Sequence, residues 1–163
     1  MERHNILQGT PEWFEIRKGR FTASKIHLLE KQPRSKADRE AGKLSATAEK
    51  WVMQKVQERL SGVHEPEVFT KPMEWGKENE PLAIKRYEEL TGNKVWEVGF
   101  VAYGENAGAS TDGLVSYDGI IEVKCPYTDF MSRILEDPFE NREYYMQMQM
   151  GMLCTGRKWC DYI

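Results

Sequence analysis

The sequence predicts a mixed α/β domain: helices first, then a central hairpin-rich mixed sheet, then one more helix packed on that sheet. Three observations point there. Apolar residues recur at helical spacing through most of residues 10–92, β-branched and aromatic runs replace them from Val95 to Lys124, and a helical pattern returns over Glu143–Cys154. With 163 residues the chain is one domain's worth, on a prior of roughly 100–200 residues per domain. It reads as a single domain, 1–163.

Taken in order, Thr10-Pro11 is an N-cap followed by proline at the first helical position. It opens a short helix, Glu12–Lys18, which Gly19 stops. Thr22-Ala23-Ser24 starts a second helical pattern through Ile26, Leu28 and Leu29. Gln32–Lys43 is polar, charged and broken by Pro33 and Gly42, so an exposed loop is expected. Ser45 caps a longer helix with Val52, Val56 and Leu60 four apart, and Ser61-Gly62 ends it. A helix around Pro81 carries Ala83, Tyr87 and Leu90 on one face, with Gly92 as its stop. Val95–Tyr103, Ala109–Ser116 and Ile120–Lys124 read as strands, the last two joined by Tyr117-Asp118-Gly119. Glu143–Cys154 is apolar on most of its surface and reads as a buried helix, stopped by Gly156. Arg157–Ile163 begins a further strand.

Composition narrows the class. There is no run of about 18 apolar residues, so no spanning helix is expected. Five Trp, seven Tyr and six Phe give ample core material. No apolar stretch follows Met1-Glu2-Arg3-His4, so a cytoplasmic location is the default expectation. Three Cys are an odd number and read as free thiols. The formal net charge of −3 hides an asymmetry. Residues 1–60 hold 13 Lys and Arg against 8 Asp and Glu, and residues 61–163 hold 10 against 18. A basic front and an acidic back suit a protein that grips a polyanion and holds cations at a reaction centre.

The chemistry concentrates in Ser110-Thr111-Asp112-Gly113 and Ile120-Ile121-Glu122-Val123-Lys124. Glu122 and Lys124 are two apart in a strand and leave the same face. Asp112 can sit beside Glu122 on the neighbouring strand. Two carboxylates and an ammonium among apolar residues are costly unless paired or metal-bound. Hard oxygen donors that leave coordination positions open suit magnesium. Lys124 could orient or deprotonate an attacking water, or steady phosphate charge. A lone Asp…Glu-x-Lys is more often a surface hairpin. Further features change the balance: Glu80 in a helix, Gln147 in a buried helix, and Arg17 with Thr22-Ala23-Ser24 at the front.

Together these blocks resemble the PD-(D/E)XK nuclease superfamily, and within it the YqaJ-like viral recombinase family that includes phage lambda exonuclease. The blocks are Trp13…Arg17…Thr22-Ala23-Ser24, Trp75-Gly76-Lys77…Glu80, Ser110-Thr111-Asp112-Gly113 with Glu122-Val123-Lys124-Cys125-Pro126, and Tyr145-Met146-Gln147-Met148-Gln149. Thr111 stands where the superfamily's eponymous proline would be, and the C-terminal part of the family fold looks absent.

The resemblance implies a restriction-endonuclease-like core with a central mixed sheet flanked by helices. Asp112 and Glu122 would be metal ligands with the Val123 carbonyl, and Glu80 would reach the metal directly or through water. Lys124 and Gln147 would complete the catalytic set. Arg17, Ser24 and Ser110 would bind a 5′-terminal phosphate, where an Arg fork and a helix N-terminus are suited to an anion. Trp13 and Thr22 would contact DNA, Trp13 as a stacking wedge if it is not plain core. The implied function is a magnesium-dependent 5′→3′ exonuclease on linear double-stranded DNA, with manganese able to substitute. It would produce 3′ overhangs for a single-strand annealing protein and work as a homo-oligomer, a ring trimer by resemblance. The rivals are an endonuclease on the same core and a catalytically inert DNA-binding protein. His4, His27 and His64 show no ligand spacing, the Met146–Met152 series reads as core filler, and a redox role for Cys125 is rejected.

Overall fold

The computed structural model describes residues 2–64, 70–128 and 141–163. The front of the chain forms β1 (Glu2–His4), α1 (Pro11–Arg17), β2 (Phe21–Thr22), a 3₁₀ helix (Ala23–Glu30), α2 (Lys36–Glu40) and α3 (Ala46–Ser61). Helix α4 (Lys71–Thr91) leads into β3 (Val95–Trp96), β4 (Phe100–Tyr103), β5 (Ala107–Ala109), β6 (Gly113–Val115) and β7 (Gly119–Glu122). Helix α5 (Arg142–Thr155) and β8 (Trp159–Tyr162) follow.

The expected sheet divides into two mixed sheets of four strands, ordered β1-β4-β5-β2 and β3-β6-β7-β8. Two of the expected long strands break to make this division. Val95–Tyr103 splits into β3 and β4, which enter different sheets. At the break Gly99 lies against the Ile6 backbone, where a Cβ would come within 1.8 Å of the Ile6 carbonyl oxygen. Ala109–Ser116 splits into β5 and β6 at residues 110–112. The break is held by Gln8, whose Nε2 donates to both Val98 O and Thr111 O at 3.2 Å. Ser110 therefore follows the end of one sheet and Asp112 precedes the start of the other.

In the second sheet β6 and β7 are antiparallel with Gly113 opposite Ile121, and β7 and β8 are parallel with Glu122 opposite Tyr162. The ladder runs one residue beyond β7, as Lys124 N–H donates to Ile163 O at 2.8 Å. Ile120, Ile121, Val115 and Val101 are fully buried. Ile120 and Val101 lie on the α5 side, packed by Met152, and Val115 and Ile121 lie on the opposite face against Tyr87, Ala83 and Ile84 of α4. Met148, Met150 and Cys154 are the buried apolar residues of α5. Gly151 lets α5 come close: a Cβ there would meet Ile120 at 3.0 Å and Thr111 at 3.2 Å. At Gly119 a Cβ would lie 2.1 Å from the Trp159 ring, so Gly119→Ala is expected to destabilise by about 1–3 kcal/mol through overpacking. Urea unfolding measures this directly.

Three helical expectations change in detail. Ala23–Glu30 winds as a 3₁₀ helix. Gln32–Lys43 contains α2, whose N-cap Ser35 Oγ accepts the Asp38 N–H at 3.4 Å, so this exposed segment is not all loop. In α3 the inward face is Ala48, Trp51, Lys55 and Glu58, whereas Leu60 is 83% exposed. The Val52–Val56–Leu60 stripe is thus not the buried one. A buried ion pair occupies that place, with Lys55 Nζ 2.9 and 2.8 Å from the two Glu58 carboxylate oxygens.

Candidate active site

The β5–β6 break and the end of β7 bring the predicted carboxylates together. Asp112 stands just before β6, and Glu122 closes β7. Asp112 Oδ2 accepts the Val123 N–H at 2.6 Å, which fixes it across the pair of strands. Glu122 is only 2% exposed. Its Oε1 accepts from Lys124 Nζ and from Gln147 Nε2, the latter at 2.5 Å. Gln147 comes from α5, which the buried face of that helix aligns over the sheet. The Lys124 ammonium also lies 5.0 Å from the Tyr144 ring centroid.

Burial raises the Glu122 carboxyl to about 7, with the charges of Asp112 and Glu80 adding to the effect. Burial likewise raises Asp112, against the opposing pull of Lys124 and the Val123 N–H. Glu80, on α4, is raised to about 7 by burial and by the charge of Asp112. Burial disfavours charge on Lys124, but Glu122 and Asp112 outweigh it and push the ammonium above its usual range. Lys124 is therefore a cation and hydrogen-bond donor in this arrangement, not a free base. Among the described residues, Glu80, Asp112 and Glu122, when all ionised, face the Lys124 ammonium and leave negative charge in excess, with Glu97 adding to it at Glu80. A divalent cation matches that excess, and oxygen donors suit a hard ion. Among the described residues no three Asp, Glu, His or Cys side chains converge at metal-holding distance. The donors that could hold such an ion are Asp112, Glu122 and the Val123 carbonyl, with Glu80 reaching it directly or through water.

A second group forms on the other side of the break. The Trp13 indole N–H reaches Ser110 Oγ at 2.8 Å and Gly99 O at 3.2 Å, and Ser110 Oγ donates to Gly99 O at 2.7 Å. The Arg17 guanidinium lies 3.6 Å above the Trp13 ring. Thr22 pairs with Gly108 in parallel register, so Ser24 and Ser110 both follow at the same end of that sheet. Two of the residues expected to contact DNA are largely buried. Trp13 is 8% exposed and packs with Phe100 and Ala102, so its ring forms a floor under Arg17. Thr22 is 7% exposed and is the N-cap of the 3₁₀ helix, which leaves little of it for DNA.

Sequence reasoning missed Tyr144 and Tyr162. Tyr144 lies three residues before Gln147, on the same helix face. Tyr162 sits beside Glu122 across β8, and burial raises its hydroxyl to about 12. Cys125 next to Lys124 has its thiol raised by burial and by the charges of Glu80 and Asp112, which disfavours the thiolate.

An Asp and a Glu-x-Lys on paired strands, with a Gln from a covering helix, define the core of a PD-(D/E)XK protein, and comparison with known proteins agrees. The sequence profile of the YqaJ-like viral recombinase domain matches residues 12–158, and the chain belongs to that family. Among solved structures it is similar to an alkaline exonuclease (LHK-Exo) from Laribacter hongkongensis. The identity is 34% and the TM-score 0.73, covering 94% of this chain and 72% of that one. The same exonuclease in complex with dAMP gives a TM-score of 0.74. A phage-related exonuclease from Haemophilus somnus 129PT is 27% identical, with a TM-score of 0.68 over 88% of this chain and 67% of that one. No curated protein sequence matches the chain. The fold is that of the PD-(D/E)XK nucleases.

Proposed function

We propose that the protein is a divalent-metal-dependent exonuclease that shortens linear double-stranded DNA from the 5′ end and leaves 3′ overhangs. The observation that carries this reading is the two-sided site: a carboxylate–lysine centre and an Arg17–Trp13–Ser110 group joined through Thr111. The family and the exonuclease neighbours support the nuclease part. Magnesium is the expected ion, and a bound cation would supply an activated water and charge stabilisation at phosphorus.

The chain's own residues prepare the reaction. Val123 N–H and Gln147 hold the two carboxylates in register, so the ligand geometry is set before substrate arrives. Lys124 presents a compact charge to the scissile phosphate and the attacking water. Arg17 offers two parallel donors to a terminal phosphate, Ser110 and Ser24 add hydroxyls, and the Trp13 ring keeps the guanidinium level. Assembly into a ring around DNA and delivery of the overhang to an annealing protein belong to the same reading, on the family resemblance.

The test compares initial rates on linear duplex with a 5′-phosphate, the same duplex with a 5′-hydroxyl, and a covalently closed circle, each with and without magnesium. The phosphorylated end should be digested fastest, Arg17→Ala should shrink that preference, and the closed circle should survive. Efficient cutting of the circle would overturn the exonuclease reading in favour of an endonuclease.

A further inference from the structure

Arg17 is the last residue of α1 and the first of a four-residue turn. Arg20 N–H closes the turn on Arg17 O at 3.1 Å. Lys18 has φ −57° and ψ 129°, and Gly19 has φ +67°. These are the angles of a type II turn, which favours glycine at its third position. Two neighbouring residues of α3 grip that glycine from both sides. Gly19 N–H donates to Glu58 Oε2 at 2.7 Å, and Arg59 Nε donates to Gly19 O at 2.8 Å.

Neither grip is loose. Glu58 is 2% exposed and is pinned by both hydrogen bonds from Lys55. A buried carboxylate of this kind is costly and does little for stability that apolar packing would not do as well. Arg59 continues past the turn, with Nη2 at 3.0 Å from Glu105 O and 2.7 Å from Asn106 Oδ1. It thereby ties the turn to the β4–β5 connection. Trp13 shares α1 with Arg17, one turn earlier, while Ser110 lies on a separate element and is bonded to Gly99 O. The α3 clamp therefore sets where the end of α1, and Arg17 with it, stands relative to Ser110.

We propose that Glu58 and Arg59 are positioning residues for Arg17 and so set the selectivity for a 5′-terminal phosphate. The inference rests on the terminal-phosphate reading above. Neither residue touches the substrate; each acts through the Gly19 peptide groups. A displacement of the order of 1 Å in a positioning group can cost about 10²-fold in rate.

The experiment measures the ratio of initial rates on matched 5′-phosphate and 5′-hydroxyl duplexes for the parent protein, Glu58→Gln, Arg59→Ala and Arg17→Ala. Arg59→Ala should lower the ratio about tenfold or more, with the loss falling on the phosphorylated substrate. Glu58→Gln, whose amide oxygen can still accept the Gly19 N–H but whose charge no longer pairs with Lys55, should lower it in the same sense by less. Either change combined with Arg17→Ala should lower it no further, because all act through one group. Parallel loss on both substrates would overturn the proposal and leave the clamp merely structural. So would an unchanged ratio in Glu58→Gln and Arg59→Ala while Arg17→Ala loses it. A parent protein indifferent to the 5′ group would overturn the terminal-phosphate reading and this inference with it. If circular dichroism shows Glu58→Gln unfolded, Arg59→Ala decides alone, since removing that exposed side chain strands no buried charge.

Discussion

Replacing Asp112 by Asn is expected to abolish DNA hydrolysis while leaving the metal-free domain at least as stable as its parent. The carboxylate is one of those that can hold a cation, so activity should fall to background in a digestion of linear duplex with magnesium. The fold should not suffer, because the amide oxygen of the replacement can still accept the Val123 N–H. Electrostatics then favour the variant. Burial and the Asp112 charge push the Glu122 and Glu80 carboxyls up to about 7, above the usual value of 4.5. A carboxyl with a raised folded pKa destabilises the folded state once it is ionised. That cost is full above the folded value and disappears below the unfolded one. Removing the Asp112 charge lowers the cost for both neighbours. Thermal melts in chelator should therefore show the largest gain well above pH 7 and a shrinking gain as pH falls toward 4.5. Near-parental activity would overturn the assignment of Asp112 as a ligand.

Lys124→Ala is expected to lose about 10²–10³ in rate with DNA binding largely kept, the usual scale for a charge-stabilising group at a phosphoryl centre. The substitution also leaves Glu122 with Gln147 as its remaining side-chain partner of the two described. Lys124→Arg should restore only part of the rate, because a planar guanidinium cannot occupy the place of a compact ammonium beside the Tyr144 ring. Single-turnover rates and a separate binding isotherm in calcium distinguish the two effects. A loss of affinity equal to the loss of rate would reduce Lys124 to a phosphate contact.

The carboxylate–lysine cluster was legible because its spacing is local. Glu122 and Lys124 share a strand face by the period of two, and one tight turn brings Asp112 opposite. Gln147 and Glu80 were found only through the family pattern, since nothing in the spacing of a helix says which strand it will cover. The helix Ser45–Gly62 was readable from its cap and stop, and Glu143–Cys154 from its apolar surface and the Gly156 stop, all of which the structure keeps. The long strands were misread at Gly99 and at Ser110–Asp112. Composition there stays strand-like, while the cause of each break is tertiary: the Ile6 backbone in one case and the Gln8 amide in the other. The α3 face failed for a related reason. Leu60 carries the more apolar side chain, yet Lys55 and Glu58 go inside because they satisfy each other and the Gly19 peptide. A single-residue hydrophobicity pattern has no term for that.

The break between β5 and β6 has a consequence for how the strand end is placed relative to the cut. Ser110 and Asp112 are separated by one residue, so their Cα atoms can be at most about 7 Å apart even when the chain is fully extended. Thr111 between them is 2% exposed, its carbonyl is held by Gln8, and α5 presses on it at Gly151. Under the proposed function the group that receives the strand end and the carboxylates where the bond is cleaved stand at the two ends of one short, buried piece of backbone. The distance between them is then set by the backbone itself, and no moving part is needed to hold it.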